Sequence, residues 1–169
     1  MPTLVHSFLQ WLGTTKFSEL MVQNRWWWAF LMDMHFIGLT LLLGTIGLLD
    51  LRILGFIKEL PIAPLNKLVP WGVAGFLINV ITGICAIAGM PLYYGYDLAF
   101  WLKMLFISLA GMNLLTFYVT NSFRKCQEVG SGQDAPLLAK FIAGTSLFLW
   151  FGVIVLGRYI QLYQDTIKP

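Results

Sequence analysis

Four apolar stretches, at residues 26–49, 68–90, 98–123 and 141–163, govern what this chain can become. Each exceeds the ~20 residues a helix needs to cross a ~30 Å hydrocarbon core. Within such a core every backbone N–H and C=O needs an internal partner, so only helices and closed barrels span it. None of the four stretches alternates apolar with polar residues as a barrel strand does, which leaves helices. The expected architecture is an all-α transmembrane four-helix bundle, a single integral-membrane domain over residues 1–169. With 58% hydrophobic and only 11% charged residues, the chain has no room for a separate soluble domain.

The segments between the stretches are short. Leu4, Phe8, Trp11 and Leu12 form an apolar stripe, with Ser7 and Gln10 elsewhere on the wheel. That pattern predicts a short N-terminal helix lying in the membrane interface. Gly13-Thr14-Thr15 breaks it, and Ser18 is placed to cap the segment leading into Arg25. The N-terminus lacks a basic region followed by a small-residue cleavage site, so no removable signal peptide is expected. Pro61 and Pro64 punctuate the first loop, Asn66 is placed to cap the second helix, and Pro70 fits its opening turn. That helix ends at Gly89-Met90-Pro91, and an aromatic turn of Tyr93, Tyr94, Tyr96 and Asp97 follows. Arg124 and Lys125 mark the exit of the third helix, and Pro136 opens the fourth.

Four spans put both termini on one side of the membrane. Arg52, Lys58, Lys67, Arg124, Lys125 and Lys140 fall on the loop side, against Lys16, Arg25 and Lys168 outside the spans on the terminal side. The excess places the loops in the cytoplasm and the termini outside. Trp26, Trp27, Trp28, Tyr93, Tyr94, Tyr96, Trp101, Tyr159 and Tyr163 form an aromatic belt on the terminal side. A net charge of +3 spread over both sides argues against nucleic acid as a partner. Cys85 lies in the second stretch and Cys126 beyond the third, too far apart to form a disulfide.

Three ionisable residues lie at comparable depth from the terminal side. Asp33 is roughly 10 Å inside, and Lys103 and Arg158 roughly 8 Å, by the helical rise per residue. Two readings follow. Either the three meet as a polar cluster, or the long cations snorkel to water while Asp33 pairs with one of them. Asp33, Ile37, Thr40, Gly44 and Gly47 share one helical face, whose small and polar residues suit helix–helix contact. His35 lies about 200° from Asp33 on the wheel, with Gly38, Leu39, Leu42 and Ile46, and is expected at a flank. As the one histidine within a span it is a candidate ligand for haem b or contact for a quinone, with Met32, Met34 or Met90 as a second axial ligand. The competing reading is a hydrogen-bonded structural histidine. Asn79, Thr82, Ser108, Asn113, Thr145 and Ser146 suit interhelical hydrogen bonding. They supply no nucleophile–base pair and no carboxylate dyad.

The segments His35-Phe-Ile-Gly38, Asp50-Leu-Arg52-Ile-Leu-Gly55, Pro70-Trp71 and Thr82-Gly83 occur in this order along the chain. They are followed by Phe100-Trp-Leu-Lys103-Met104, Ser146-Leu-Phe-Leu-Trp150 and Gly157-Arg158-Tyr-Ile160. Together they resemble a family of small bacterial four-helix membrane proteins classed as a domain of unknown function. The resemblance covers nearly the whole chain and implies a bacterial inner-membrane protein without supplying an activity. The resemblance implies that relatives tend to carry an acidic residue three positions before the histidine. This chain has Met32 there and Asp33 beside it, a shift of about 100° round the helix.

Small size, short loops and the aromatic belt lead to an expected role. The chain reads as a non-enzymatic accessory or anchoring subunit that partners lipid and other membrane-protein subunits or itself. An electron-transfer module centred on His35 is the alternative. Ion translocation through Asp33 fits less well, because the loop-side half of the first stretch continues without charge until Asp50.

Overall fold

A computed structural model describes residues 4–166, with side chains through Ile160. The Tyr163 side chain and Lys168, used above for the belt and the charge count, lie outside them. The fold is all-α, with no strand among the described residues. Its helices are α1 (Leu4–Gly13), α2 (Lys16–Gln23), α3 (Arg25–Leu54), α4 (Ile62–Leu65), α5 (Val69–Gly89), α6 (Pro91–Tyr96), α7 (Leu98–Val119), α8 (Ser122–Gln127) and α9 (Leu137–Thr166), with a 3₁₀ turn at Asn66–Leu68. Four segments are long and apolar enough to cross a membrane: Arg25–Leu54, Ile62–Gly89, Leu98–Val119 and Leu137–Ile160. By length and composition this is a multi-pass membrane protein.

Helix ends explain where the elements stop. Asn24 caps α3, its Oδ1 accepting from the Trp26 N–H at 3.1 Å. At the far end Gly55 takes φ +100°, and Phe56 N–H returns to the Leu51 carbonyl at 3.1 Å. This is a Schellman closure, which a left-handed glycine permits without a Cβ clash. Asn121 at φ 55° ends α7 in the same left-handed region, which asparagine tolerates better than other side chains. The third span is thus shorter than the apolar stretch that announced it, and its expected tail, to Phe123, is redirected into α8. Three other expectations are corrected. Thr15 caps α2, while the Ser18 hydroxyl donates to the Gly89 carbonyl at 2.7 Å. The segment before α5 is already helical at Ile62, so Asn66 sits inside a helical run. The aromatic turn is the helix α6, opened by Pro91 at its first position, where a missing N–H costs nothing.

By backbone contacts the chain divides into two compact units, Met1–Leu42 with Val73–Leu98 and Leu43–Gly72 with Ala99–Pro169. In the first unit α1 lies against α6. Leu9 is its buried residue, and a Cβ on Gly95 would meet Leu9 Cδ1 at 2.5 Å. His6 Nδ1 and the Tyr96 hydroxyl are 2.6 Å apart. Leu4, Phe8 and Trp11 are exposed, as an interfacial helix requires. Tyr94 on α6 is held in its neutral form, its phenol pushed up to about 12 by burial and then by Tyr93 and Asp97.

In the same unit α3 meets α5 through glycines. A Cβ on Gly75 would meet the Gly38 carbonyl at 2.5 Å and the Leu42 N at 2.7 Å. A Cβ on Gly38 would meet the Gly75 carbonyl at 2.8 Å. Facing glycines let two backbones touch, and in lipid such packing replaces the hydrophobic drive. The packed face of α3 here is therefore Gly38 and Leu42, with His35. Asp33, Ile37, Thr40 and Gly44, expected to face inward, are exposed, and nothing lies within 4 Å of a Cβ on Gly44. A stripe of small residues needs small partners opposite, and Gly75 supplies one only to Gly38.

The second unit packs its loop end tightly. Ile53, Ile62, Cys126, Val129, Ala135, Ala139 and Ala143 form one buried cluster, with Leu54 and Phe117 against it. The alanines recur every fourth residue along α9 and its approach, which lets neighbouring segments lie close.

The α3–α5 contact has a direct test. Gly75→Val forces a side chain into backbone atoms and is expected to cost about 1–3 kcal/mol, seen as a lower unfolding temperature in detergent. Gly83→Ala meets open space and is expected to leave that temperature unchanged or raise it.

Candidate functional site

The most constrained polar group in the second unit is Arg52, which the sequence presented as one more loop-side charge. It is 0% exposed, in the last turn of α3. Its Nε donates to the Leu60 carbonyl, and its Nη2 donates to Gly130 at 2.9 Å and Gln133 at 3.4 Å. One guanidinium thus ties the end of a spanning helix to both connecting loops of its unit. A planar fork of five donors suits arginine to this task, where lysine offers a single point charge. The sequence signal was its place, three residues before the glycine that stops α3.

The loops also hold each other. Gly132 N–H donates to the Lys58 carbonyl at 2.8 Å, Ile62 N–H to Val129 at 3.5 Å, and the Ser131 hydroxyl to Glu59 at 2.6 Å. On the surface Asp134 bridges Lys58 at 2.8 Å and Lys140 at 2.5 Å. Hydrogen bonds from Lys140 and Lys58 hold its carboxyl down at about 2. Beneath them Cys126 is buried, and that burial pushes its thiol up to about 11 against the pull of Arg52. It is a packing residue rather than a nucleophile.

The intramembrane residues fall into the two units. In the first, His35 Nδ1 and the Thr82 hydroxyl stand 2.7 Å apart, joining α3 to α5. Thr82 is buried and its hydroxyl also lies 2.7 Å from the Ile78 carbonyl, while Asn79 donates to Gly75 at 2.9 Å. Asp33 is exposed and makes no hydrogen bond or ion pair among the described residues. In the second unit Asn113 on α7 donates to Ile142 on α9 at 3.0 Å. Ser146 hydrogen-bonds the Asp50 carboxylate. Lys103 reaches α9, with Nζ 3.6 Å from where a Cβ on Gly157 would stand, and so lies beside the residue preceding Arg158. Ser108 and Thr145 return their hydroxyls to their own helices. Asp50 was missed as a site. Its place near the apparent exit of α3 disguised a side chain that is only 7% exposed.

These contacts bear on the space beside His35 between α3 and α5. A porphyrin held by His35 needs a slot beside the imidazole. Between α3 and α5 the direct His35–Thr82 bond and the Gly38–Gly75 contact close it. Met32 and Met34 share a helix with His35, so neither faces it across such a slot. Between these two helices the Nδ1 of His35 is engaged with Thr82.

A family model described as a family of unknown function, DUF6644, matches residues 6–163, and the chain belongs to that family. No curated protein and no solved structure matches it.

Two measurements address the loop assembly. Arg52→Ala leaves loop carbonyls without donors and is expected to cost on the order of 3 kcal/mol. Hydrogen exchange should rise in both 55–61 and 129–134, and Arg52→Lys should restore it only in part. The Asp134 carboxyl has its folded pKa depressed from 3.8 to about 2. Its contribution is therefore present above the unfolded value and lost as pH falls through the folded one. Exchange in 129–134 should rise over that acid window in the wild type, and Asp134→Asn should abolish the dependence.

Proposed function

We propose that this DUF6644 protein is a non-enzymatic accessory or anchoring subunit of a larger membrane assembly, docking through the exposed face of α3. The observation that carries this reading is Asp33. It lies inside a spanning helix, it is exposed, and Phe36, Ile37, Thr40 and Gly44 extend the same exposed surface. Lipid tails give a carboxylate no solvation, and such a group in a span costs a few kcal/mol unless something pairs with it. A basic or donor-bearing side chain on a neighbouring spanning helix relieves that cost, and the open Gly44 lets such a helix approach closely. The remaining polar side chains in the spans are largely spent on helix-to-helix or same-helix hydrogen bonds, which fits a scaffold better than a catalyst.

The setting we assign is a bacterial inner membrane, with lipid against the apolar surface and the termini on the periplasmic side. Lys67, Arg124 and Lys125 are the exposed loop-side cations that support this orientation, since Lys58 and Lys140 are engaged with Asp134 and Arg52 is buried.

Native electrophoresis of solubilised host membranes should show the protein in a complex larger than its monomer. Asp33→Lys should dissociate that complex while the purified monomer keeps its unfolding temperature. A wild-type chain that migrates as a monomer, with photo-crosslinkers at Thr40 reaching only lipid, would overturn the reading. His35→Ala should weaken packing and leave the preparation colourless. A reduced haem b spectrum that this substitution removes would put the electron-transfer alternative in its place.

A further inference from the structure

Asp50 is the second acidic residue of α3, and its situation differs from that of Asp33. It is 7% exposed, Ser146 on α9 hydrogen-bonds its carboxylate, and Oδ2 has no hydrogen-bond partner among the described residues. Among the described residues no Lys or Arg makes an ion pair with it. Arg52 is two residues on and turns its Nε and Nη2 to loop carbonyls, its Nη1 having no hydrogen-bond partner among the described residues, and the ion pairs of Lys58 and Lys140 are made with Asp134. A buried carboxylate in that condition carries a large desolvation cost unless a positive charge reaches it.

The neighbourhood offers oxygen. Ser146 is itself buried, and Asn113 on α7 reaches Ile142, one helical turn before Ser146. Its amide nitrogen is used there, and its amide oxygen is a further acceptor. One turn before Asp50, a Cβ on Gly47 would find nothing nearer than Leu147 Cδ2 at 4.0 Å. The glycine thus puts no side chain on α3 beside the carboxylate, and a Cβ there would stand in ordinary van der Waals contact with Leu147 of α9.

We propose that Asp50 and Ser146, with Asn113 completing the oxygen shell, bind a small monovalent cation of the sodium class. One carboxylate balances one positive charge, and the other donors are neutral oxygens. A divalent ion would recruit further carboxylates or a shell of water, and no group of three His, Cys, Asp or Glu suited to a metal occurs among the described residues. Softer metals would want thiolate or imidazole, and neither contributes here. The cation joins α3 to α9, two residues before the Arg52 junction. This site is independent of the docking role of Asp33.

The test is thermal unfolding of the purified full-length protein in detergent, titrated with sodium chloride against choline chloride at constant ionic strength. Wild type should show a saturable rise in unfolding temperature with sodium, mimicked by lithium and absent with choline. Asp50→Asn should abolish the rise, and Ser146→Ala should shift it to higher sodium. Equal stability in sodium and choline would overturn the site and leave a protonated or water-bridged carboxyl. So would a sodium response that survives in Asp50→Asn. Should Asp50→Asn fail to fold, radioactive sodium binding to the wild type decides. Saturable uptake near one ion per chain, displaced by unlabelled sodium, supports the site, and its absence rejects it.

Discussion

The guanidinium of Arg52 is the interaction on which the second unit depends. A spanning helix must end somewhere, and the segment after it must satisfy its own carbonyls without the regular ladder that the helix supplies. Here α3 ends on a left-handed glycine, and the arginine one turn earlier donates to carbonyls of two loops that lie far from each other in sequence. A positive charge in the last turn also complements the helix dipole. The loop-side core forms beneath it, where Ile53, Ile62 and Cys126 are buried with the alanines of α9. Without the arginine those carbonyls would be left unsatisfied above an apolar layer.

The first unit relies on backbone proximity instead. Gly38 and Gly75 bring α3 and α5 into contact, and that approach sets the distance at which His35 and Thr82 meet. The hydrogen bond and the glycine contact therefore support each other. In lipid an interhelical hydrogen bond of this kind contributes roughly 1 kcal/mol, so the packing term carries much of the association. The same geometry turns Asp33 outward, because a residue about 200° away from His35 faces the opposite side. The histidine's structural role and the aspartate's exposure have one cause.

Two carboxylates on one helix thus meet different fates. Asp33 is exposed within a span, which directs attention to a neighbouring chain. Asp50 is enclosed by its own unit, which directs attention to a small occupant. Neither situation resembles a catalytic dyad, and the polar side chains around them mostly return hydrogen bonds to helices.

Much of the fold was legible in the residues alone. Apolar length dictated four spanning helices, because an unpaired backbone has no solvent in hydrocarbon. The break at Gly13, the end at Gly89 and the start after Pro136 followed from local backbone chemistry, as did the interfacial α1. The site was less legible. Periodicity places Asp33 and His35 on different faces but does not say which face is packed, since both carry small residues. Only the meeting of Gly38 with Gly75, distant in sequence, decided that. Likewise Arg52 reads as a surface cation until the loops fold over it, and Asp50 as a helix-end acid until Ser146 arrives from α9. Sequence determined the elements because their causes are local or set by the solvent. Tertiary structure decided the roles of the charges, because burial is a property of what packs against a residue.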